Sequence, residues 1–196
     1  MNNPYQAPQA AIAREVPLEG ALFYSVSKRK FWVLQLCTLG LYILGWAYQN
    51  WKILKANYKL NVWPVPRAIF IVFFTHDLMK RIKTASDANG RYTQFNYSGA
   101  ATNAVVVFIV NFIIDRLVNK GVGGLGLTIV SLLMIFVIGL VVWPMQNAIN
   151  QVSGDNDGLK NDKLSGSNIF WIVIGLILWA VTIFGLTAAG AKYGSG

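Results

Sequence analysis

Two stretches of this sequence, Gly123 to Trp143 and Ile169 to Ala189, each run 21 residues without one charged side chain. At about 1.5 Å per residue, a helix of that length is about 31 Å long, enough to cross bilayer hydrocarbon. A soluble core does not need such runs. Only 13% of the chain is charged and 55% is hydrophobic, whereas soluble domains carry about 25% charged residues. Mean hydropathy is +0.46. The runs are continuously apolar, which excludes the alternating pattern of a membrane β-barrel.

Three further apolar segments precede these two. Gly99 to Ile114 carries Asn103 and Asn111 and is expected to span. Phe31 to Tyr48 is interrupted by Gly40 and Gly45. Pro64 to Met79 contains Arg67, His76 and Asp77, with an uninterrupted apolar run only from Ala68 to Thr75. Eight residues do not cross a membrane, so the first two segments either span poorly, dip in and return, or lie in the interface. The fold class expected is all-α, a polytopic transmembrane helical bundle with three spans plus two shorter N-terminal apolar segments. Residues 1–27 read as a flexible cytoplasmic tail without the basic start and apolar core of a signal peptide. Residues 28–189 read as one membrane-embedded domain and 190–196 as a short C-terminal tail. Lys80 to Ser98 and Gln146 to Asn168 read as loops, punctuated by Asn-Gly, Asp-Gly and Ser-Gly.

The formal charge of +9 fits cationic loops at helix ends and anionic headgroups better than nucleic acid, because no groove-sized basic face is apparent. With five spans and the N-terminus inside, Lys and Arg divide ten inside against seven outside. With the first two segments not crossing, the division is fourteen against three. The positive-inside rule favours the second arrangement, with the N-terminus cytoplasmic and the C-terminus outside.

Residues 47–62 have the spacing of an amphipathic helix. Ala47, Trp51, Leu54, Tyr58 and Val62 share a face beside a stripe of Lys52, Lys55 and Lys59. Trp51 and the three lysines are therefore candidates for lipid-headgroup contact, against the plainer reading of an interfacial anchor. Trp46, Tyr48, Tyr58 and Trp63 belong to the same aromatic cluster. His76, Asp77, Asn103, Asn111 and Asp115 are candidate polar residues at membrane depth, where an ionisable group is costly and so suggests function. Asp77 is spaced to pair with Lys80 or Arg81, and Asn111 with Asp115 at i,i+4. Asp155-Asn156-Asp157-Gly158 lacks the later ligands and the glutamate of a calcium loop, and reads as solvated. No nucleotide, hydrolase or zinc-protease motif occurs. A single histidine argues against a multi-histidine metal site. Lone Cys37 reads as a small buried hydrophobe.

Lys30-Phe31, Thr38-x-Gly40-Leu41-Tyr42 and Trp46-x-Tyr48-x-Asn50-Trp51 together resemble the K-F…T-x-G-L-Y-x3-W-x-Y-x-N-W run of small bacterial integral membrane proteins of unknown function. Trp143-Pro144-x-Gln146-x2-Ile149-Asn150 is similar to their second element. That resemblance implies a bacterial inner membrane and no mechanism. Trp46-x-x-Gln49-Asn50 and Trp143-x-x-Gln146-Asn147 also resemble each other across 97 residues, as a degenerate duplication would. The function expected is non-catalytic: a membrane-organising or partner-binding protein with a basic cytoplasmic face. It would need no cofactor, and its partners would be the bilayer, anionic lipids, a second copy or another membrane protein. The alternative is a channel or transporter subunit, which would gather Asn111, Asp115 and His76 around one water-accessible cavity. An enzyme is the least supported, since no nucleophile and base fall at usable spacing.

Overall fold

The computed structural model describes residues 22–91 and 94–194. Among them the regular structure is entirely helical. Seven α-helices follow in order: α1 (Lys28–Cys37), α2 (Tyr42–Asn57), α3 (Pro64–Ile69), α4 (Ile71–Ala88), α5 (Tyr97–Asn119), α6 (Gly124–Val152) and α7 (Gly166–Gly194). A 3₁₀ turn at Leu159–Asn161 precedes α7. Three helices are long and apolar enough to cross a membrane: Tyr97–Asn119, Gly124–Val152 and Gly166–Ala188. Their large apolar side chains are mostly exposed, Phe112, Leu133, Phe170, Val181 and Phe184 among them. Water would not tolerate so extensive an apolar surface on a monomer; hydrocarbon does.

The first two apolar segments form short helices that are not among these three. Ser27 caps α1 by accepting from the Lys30 backbone N–H at 3.2 Å. At the other end, the Thr38 hydroxyl donates to Leu34 O at 2.7 Å and accepts from Tyr42 N at 2.9 Å. One side chain thus closes α1 and opens α2. Between them Leu39 and Gly40 take positive φ values of 53° and 82°, a reversal that glycine adopts without cost. The Thr-x-Gly-Leu-Tyr element is therefore a hairpin turn. Gln35 Nε2 reaches Ile135 O at 2.9 Å, about midway along α6. Trp46 Nε1 then meets Gln146 Oε1 at 2.5 Å, back near the end of that helix. The hairpin enters halfway and returns to the end it started from.

The segment α3–α4 repeats this excursion. Pro64 starts α3, where a missing N–H costs nothing. Phe70, at φ −95° and ψ 40°, breaks the run before α4. Ile71 and Val72 lie beside Gly40 and Leu41 at the hairpin tip. The chain then climbs along α5, with His76 Nε2 3.2 Å from Thr102 Oγ1. At the top, Arg91 donates to Val152 O at the end of α6. Both short segments thus turn back partway along the long helices α5 and α6.

Packing of α1 rests on two close approaches. A Cβ on Gly139 of α6 would lie 2.5 Å from the Trp32 ring, and one on Gly175 of α7 would collide with the Cys37–Thr38 backbone. Trp179 Nε1 donates to Leu36 O at 2.8 Å beside that second contact. Small residues at membrane interfaces permit such approaches.

Several boundaries differ from the sequence expectation. Residues 22–27 are not part of a loose tail: Leu22, Phe23, Val26 and Ser27 are buried. Residues 1–21 lie outside the described residues. Helix α6 continues through Gln146–Val152, read in sequence as loop, because Met145, Ile149 and Val152 stay buried while the intervening amides find partners. Helix α4 likewise extends to Ala88, and α7 continues to Gly194 through the stretch read as a tail.

Candidate functional site

The densest polar structure lies where the two sequence elements of the resemblance meet. Trp46, Asn50, Gln146 and Asn150 are all fully buried. Residues four apart share a helix face, so α2 presents Trp46 with Asn50 and α6 presents Gln146 with Asn150. Gln146 accepts from Trp46 Nε1 and donates from Nε2 to Tyr24 O at 3.0 Å and Asn150 Oδ1 at 2.6 Å. Asn150 binds both backbone groups of Val26, accepting from its N at 3.1 Å and donating to its O at 3.0 Å. Asn50 accepts from Tyr24 N at 3.2 Å and donates to Trp46 O at 3.0 Å. Three amide side chains, Asn50, Gln146 and Asn150, thus satisfy the backbone groups of Tyr24 and Val26 that no secondary structure pairs, and Trp46 anchors Gln146 among them. The arrangement locks the hairpin to α6, and its amides are neutral groups that neither titrate nor attack.

A second layer closes over this segment. Asn161 Nδ2 donates to Ser25 O at 2.8 Å, and Lys30 Nζ donates to Asn161 Oδ1 at 2.6 Å and to Lys163 O at 2.8 Å. Asp162 accepts from Ser27 Oγ at 2.5 Å and pairs with Arg29 at 2.7 Å. The Arg29 hydrogen bond, with Ser27 second, holds the Asp162 carboxyl below its ordinary range. Burial lowers the Lys30 ammonium, and Asp162 partly offsets this. Asp155 caps the 3₁₀ turn, accepting from Leu159 N at 3.0 Å and Lys160 N at 3.2 Å, and Gly158 abuts the Val26 backbone. The stretch read as a solvated loop is instead folded onto residues 25–30.

The sequence-predicted polar residues fall into separate places. Asp77 pairs with Arg81 at 3.0 Å, the i,i+4 partner expected, and also with Arg67 at 2.6 Å. The Arg67 guanidinium lies 4.2 Å over the Trp51 ring and 4.7 Å over Phe74. Trp51 is only 1% exposed, so it is a platform for Arg67 and makes no headgroup contact. Trp46 is likewise interior, whereas Trp63 is 74% exposed. Lys52, Lys55 and Lys59 are exposed, although Lys59 lies beyond the helix with φ 47°. Asn111 donates to Asp115 at 2.8 Å as spaced, and Ser131 donates to the other carboxylate oxygen at 2.5 Å. This pair lines a cleft of about 510 Å³ beside Gly40 and Leu41. His76, on Thr102 at the other half of α5, is not part of it, so the three residues are not gathered around one cavity. Asn103 sits apart beside Asn96 and Pro144.

Sequence reasoning missed the roles of Arg67, Ser131 and Asn161, and read Gln146 and Asn150 only as motif letters. Amides four apart that continue into Ile149 and Val152 were the available signal for a helix with a polar buried stripe. Trp46 bonds to Gln146 across the proposed repeat, so the resemblance between the halves coincides with a physical contact. Among the described residues, no group of three or more His, Cys, Asp or Glu could hold a metal ion.

Charge is sorted by end. Among the residues whose side chains are described, every Lys and Arg except Arg116 and Lys120 lies toward the end where α6 finishes. Residues 20–76 contain no acidic side chain; Asp162 and Asp77, from elsewhere in the chain, pair with Arg29 and Arg67, while Lys52, Lys55 and Lys59 stay exposed. Compared with protein-family models, with curated proteins and with solved structures, this chain gives no match.

Proposed function

We propose that this protein is a non-catalytic bacterial inner-membrane protein whose basic end faces the cytoplasm and engages anionic lipid headgroups. The observation that carries the reading is the concentration of cations at one end, with Lys52, Lys55 and Lys59 exposed and no acid between residues 20 and 76 to neutralise them. Cytoplasmic leaflets are anionic and attract juxtamembrane lysines. The interior network suits this role, since it fixes the hairpin that presents those lysines. The inner membrane comes from the resemblance of the Thr38–Trp51 element, and the orientation from the positive-inside bias. The bilayer is the first partner; a second copy or another membrane protein would dock against the apolar spans.

Two measurements test it. In a Cys37→Ser background, an impermeant maleimide applied to intact cells should label Lys120→Cys and spare Lys55→Cys. The opposite pattern overturns the orientation. Replacing Lys52, Lys55 and Lys59 together by Gln should weaken binding of phosphatidylglycerol to the solubilised protein by about a hundredfold at low salt, since each cation near an anionic surface contributes about 1 kcal/mol. The difference should shrink at high salt. Equal affinity in wild type and triple variant would remove the headgroup role.

A further inference from the structure

Between the α1–α2 hairpin, α3 and the first turns of α7 lies an open cleft of about 710 Å³, within the roughly 300–1,000 Å³ of ligand sites. Its character changes along its length. Leu41, Leu44, Ile69 and Trp171 wall the deep part, near the tip of the hairpin. Tyr48, Gln49, Ser167 and Asn168 form the rim, at the level where α7 begins and the Asn50–Tyr24 contact sits. Lys52 stands one turn beyond Tyr48 and Gln49 on the same face of α2, exposed and without an acidic neighbour.

We infer that this cleft holds one glycerophospholipid of the surrounding bilayer, an acyl chain between the hairpin and α7 and its phosphate at the polar rim near Lys52. The inference rests on the headgroup reading above and gives it a site. Three observations converge on an amphiphile. The apolar walls stand at hydrocarbon depth, where a void would be filled by the hydrocarbon around it. Most of its polar groups stand at the rim, and of the two deeper ones, Thr38 and Tyr42, the Thr38 hydroxyl is already bonded to Leu34 O and Tyr42 N, so the cleft has the polarity gradient of a lipid more than of a soluble metabolite. The charge at the rim is positive, complementary to a phosphodiester. A second copy of the chain would offer little anion there: residues 20–76 lack acids, and Asp77, Asp87, Asp115, Asp155 and Asp162 are already paired or bonded. Among the described acids only the exposed Asp157 is left, a single carboxylate against the phosphodiester of every surrounding lipid.

Gly45 makes the inference testable. It lines the cleft, and a Cβ added there meets nothing within 4 Å. Gly45→Phe therefore places a ring in the cleft without displacing backbone, and glycine in a helix interior is destabilising in any case. Gly185→Phe adds the same ring at another open position, outside the cleft. The probe is native mass spectrometry of the full chain extracted from its membrane in mild detergent. Wild type and Gly185→Phe should retain one phospholipid adduct per chain. Gly45→Phe should reduce the retained fraction at least tenfold while keeping or raising its melting temperature. Retention by Gly45→Phe equal to wild type, equal loss in Gly185→Phe, or a second chain in place of the phospholipid each overturns the site. If Gly45→Phe empties the cleft while the triple lysine variant keeps its preference for phosphatidylglycerol, the cleft stands and the headgroup reading falls. The reverse pair of results removes the cleft alone.

Discussion

Asn150→Leu should destabilise the folded protein by about 4 kcal/mol, measured as a loss of unfolding free energy in mixed micelles. Leucine keeps the same branched four-atom side-chain skeleton, so no cavity opens and the loss comes mainly from hydrogen bonding. Three partners are orphaned at once: the Val26 N–H, the Val26 carbonyl and one Gln146 N–H. A buried polar group left unsatisfied costs about 1–3 kcal/mol, and no water reaches this fully buried position to relieve it. The segment at residues 24–26 would lose its attachment to α6, and trypsin should then cut faster after Lys28, Arg29 and Lys30. Asn50→Leu removes a single partner of Tyr24 and should cost less than half as much. A loss under 1 kcal/mol for Asn150→Leu would mean that the network is not what holds the hairpin in place.

Gly175→Leu is the second large effect expected. The added side chain would occupy the space of the Cys37 carbonyl and the Thr38 backbone, and neither can rotate away as a flexible side chain would. Helix α7 has to retreat from α1, giving up the Trp179–Leu36 bond as well. Overpacking of this kind costs about 1–3 kcal/mol. Helix α7 has few other attachments, so the displacement should stay local. The single cysteine reports it directly: Cys37 is partly covered and lies at the contact. Its reaction with a small membrane-permeant thiol reagent should accelerate about thirtyfold, the factor that about 2 kcal/mol of easier local opening supplies. Gly185→Leu, with open space around its Cβ, should leave the rate unchanged. Equal rates in Gly175→Leu and wild type would place the α1–α7 contact elsewhere.

The polar clusters differ in how plainly the sequence announced them. Asp77–Arg81 and Asn111–Asp115 were legible because helical spacing alone puts residues four apart on one face. Arg67 joining Asp77 was not, since the break at Phe70 folds α3 back on α4 by an angle that spacing does not specify. Trp51 shows the same limit from the other side. Its position in the amphipathic pattern of residues 47–62 gave the helix and its Lys52 and Lys55 only as far as Asn57, Lys59 falling beyond the helix end, and an aromatic ring on the apolar face can meet lipid or protein. Only the guanidinium stacked on it decides between them.

Local and one-dimensional physics determined the bilayer as solvent, the three spans and the uneven division of cations, because hydrocarbon thickness and the cost of burying charge act on each segment separately. Whether Phe31–Tyr48 and Pro64–Met79 cross or return could not be settled that way. Their lengths permitted either, and the outcome depends on partners far along the chain: Ile135 receiving Gln35, Gln146 receiving Trp46, Asn150 holding Val26. A polar group inside a membrane is affordable only when a specific donor or acceptor is brought to it, and that pairing across about a hundred residues is a property of the folded molecule alone.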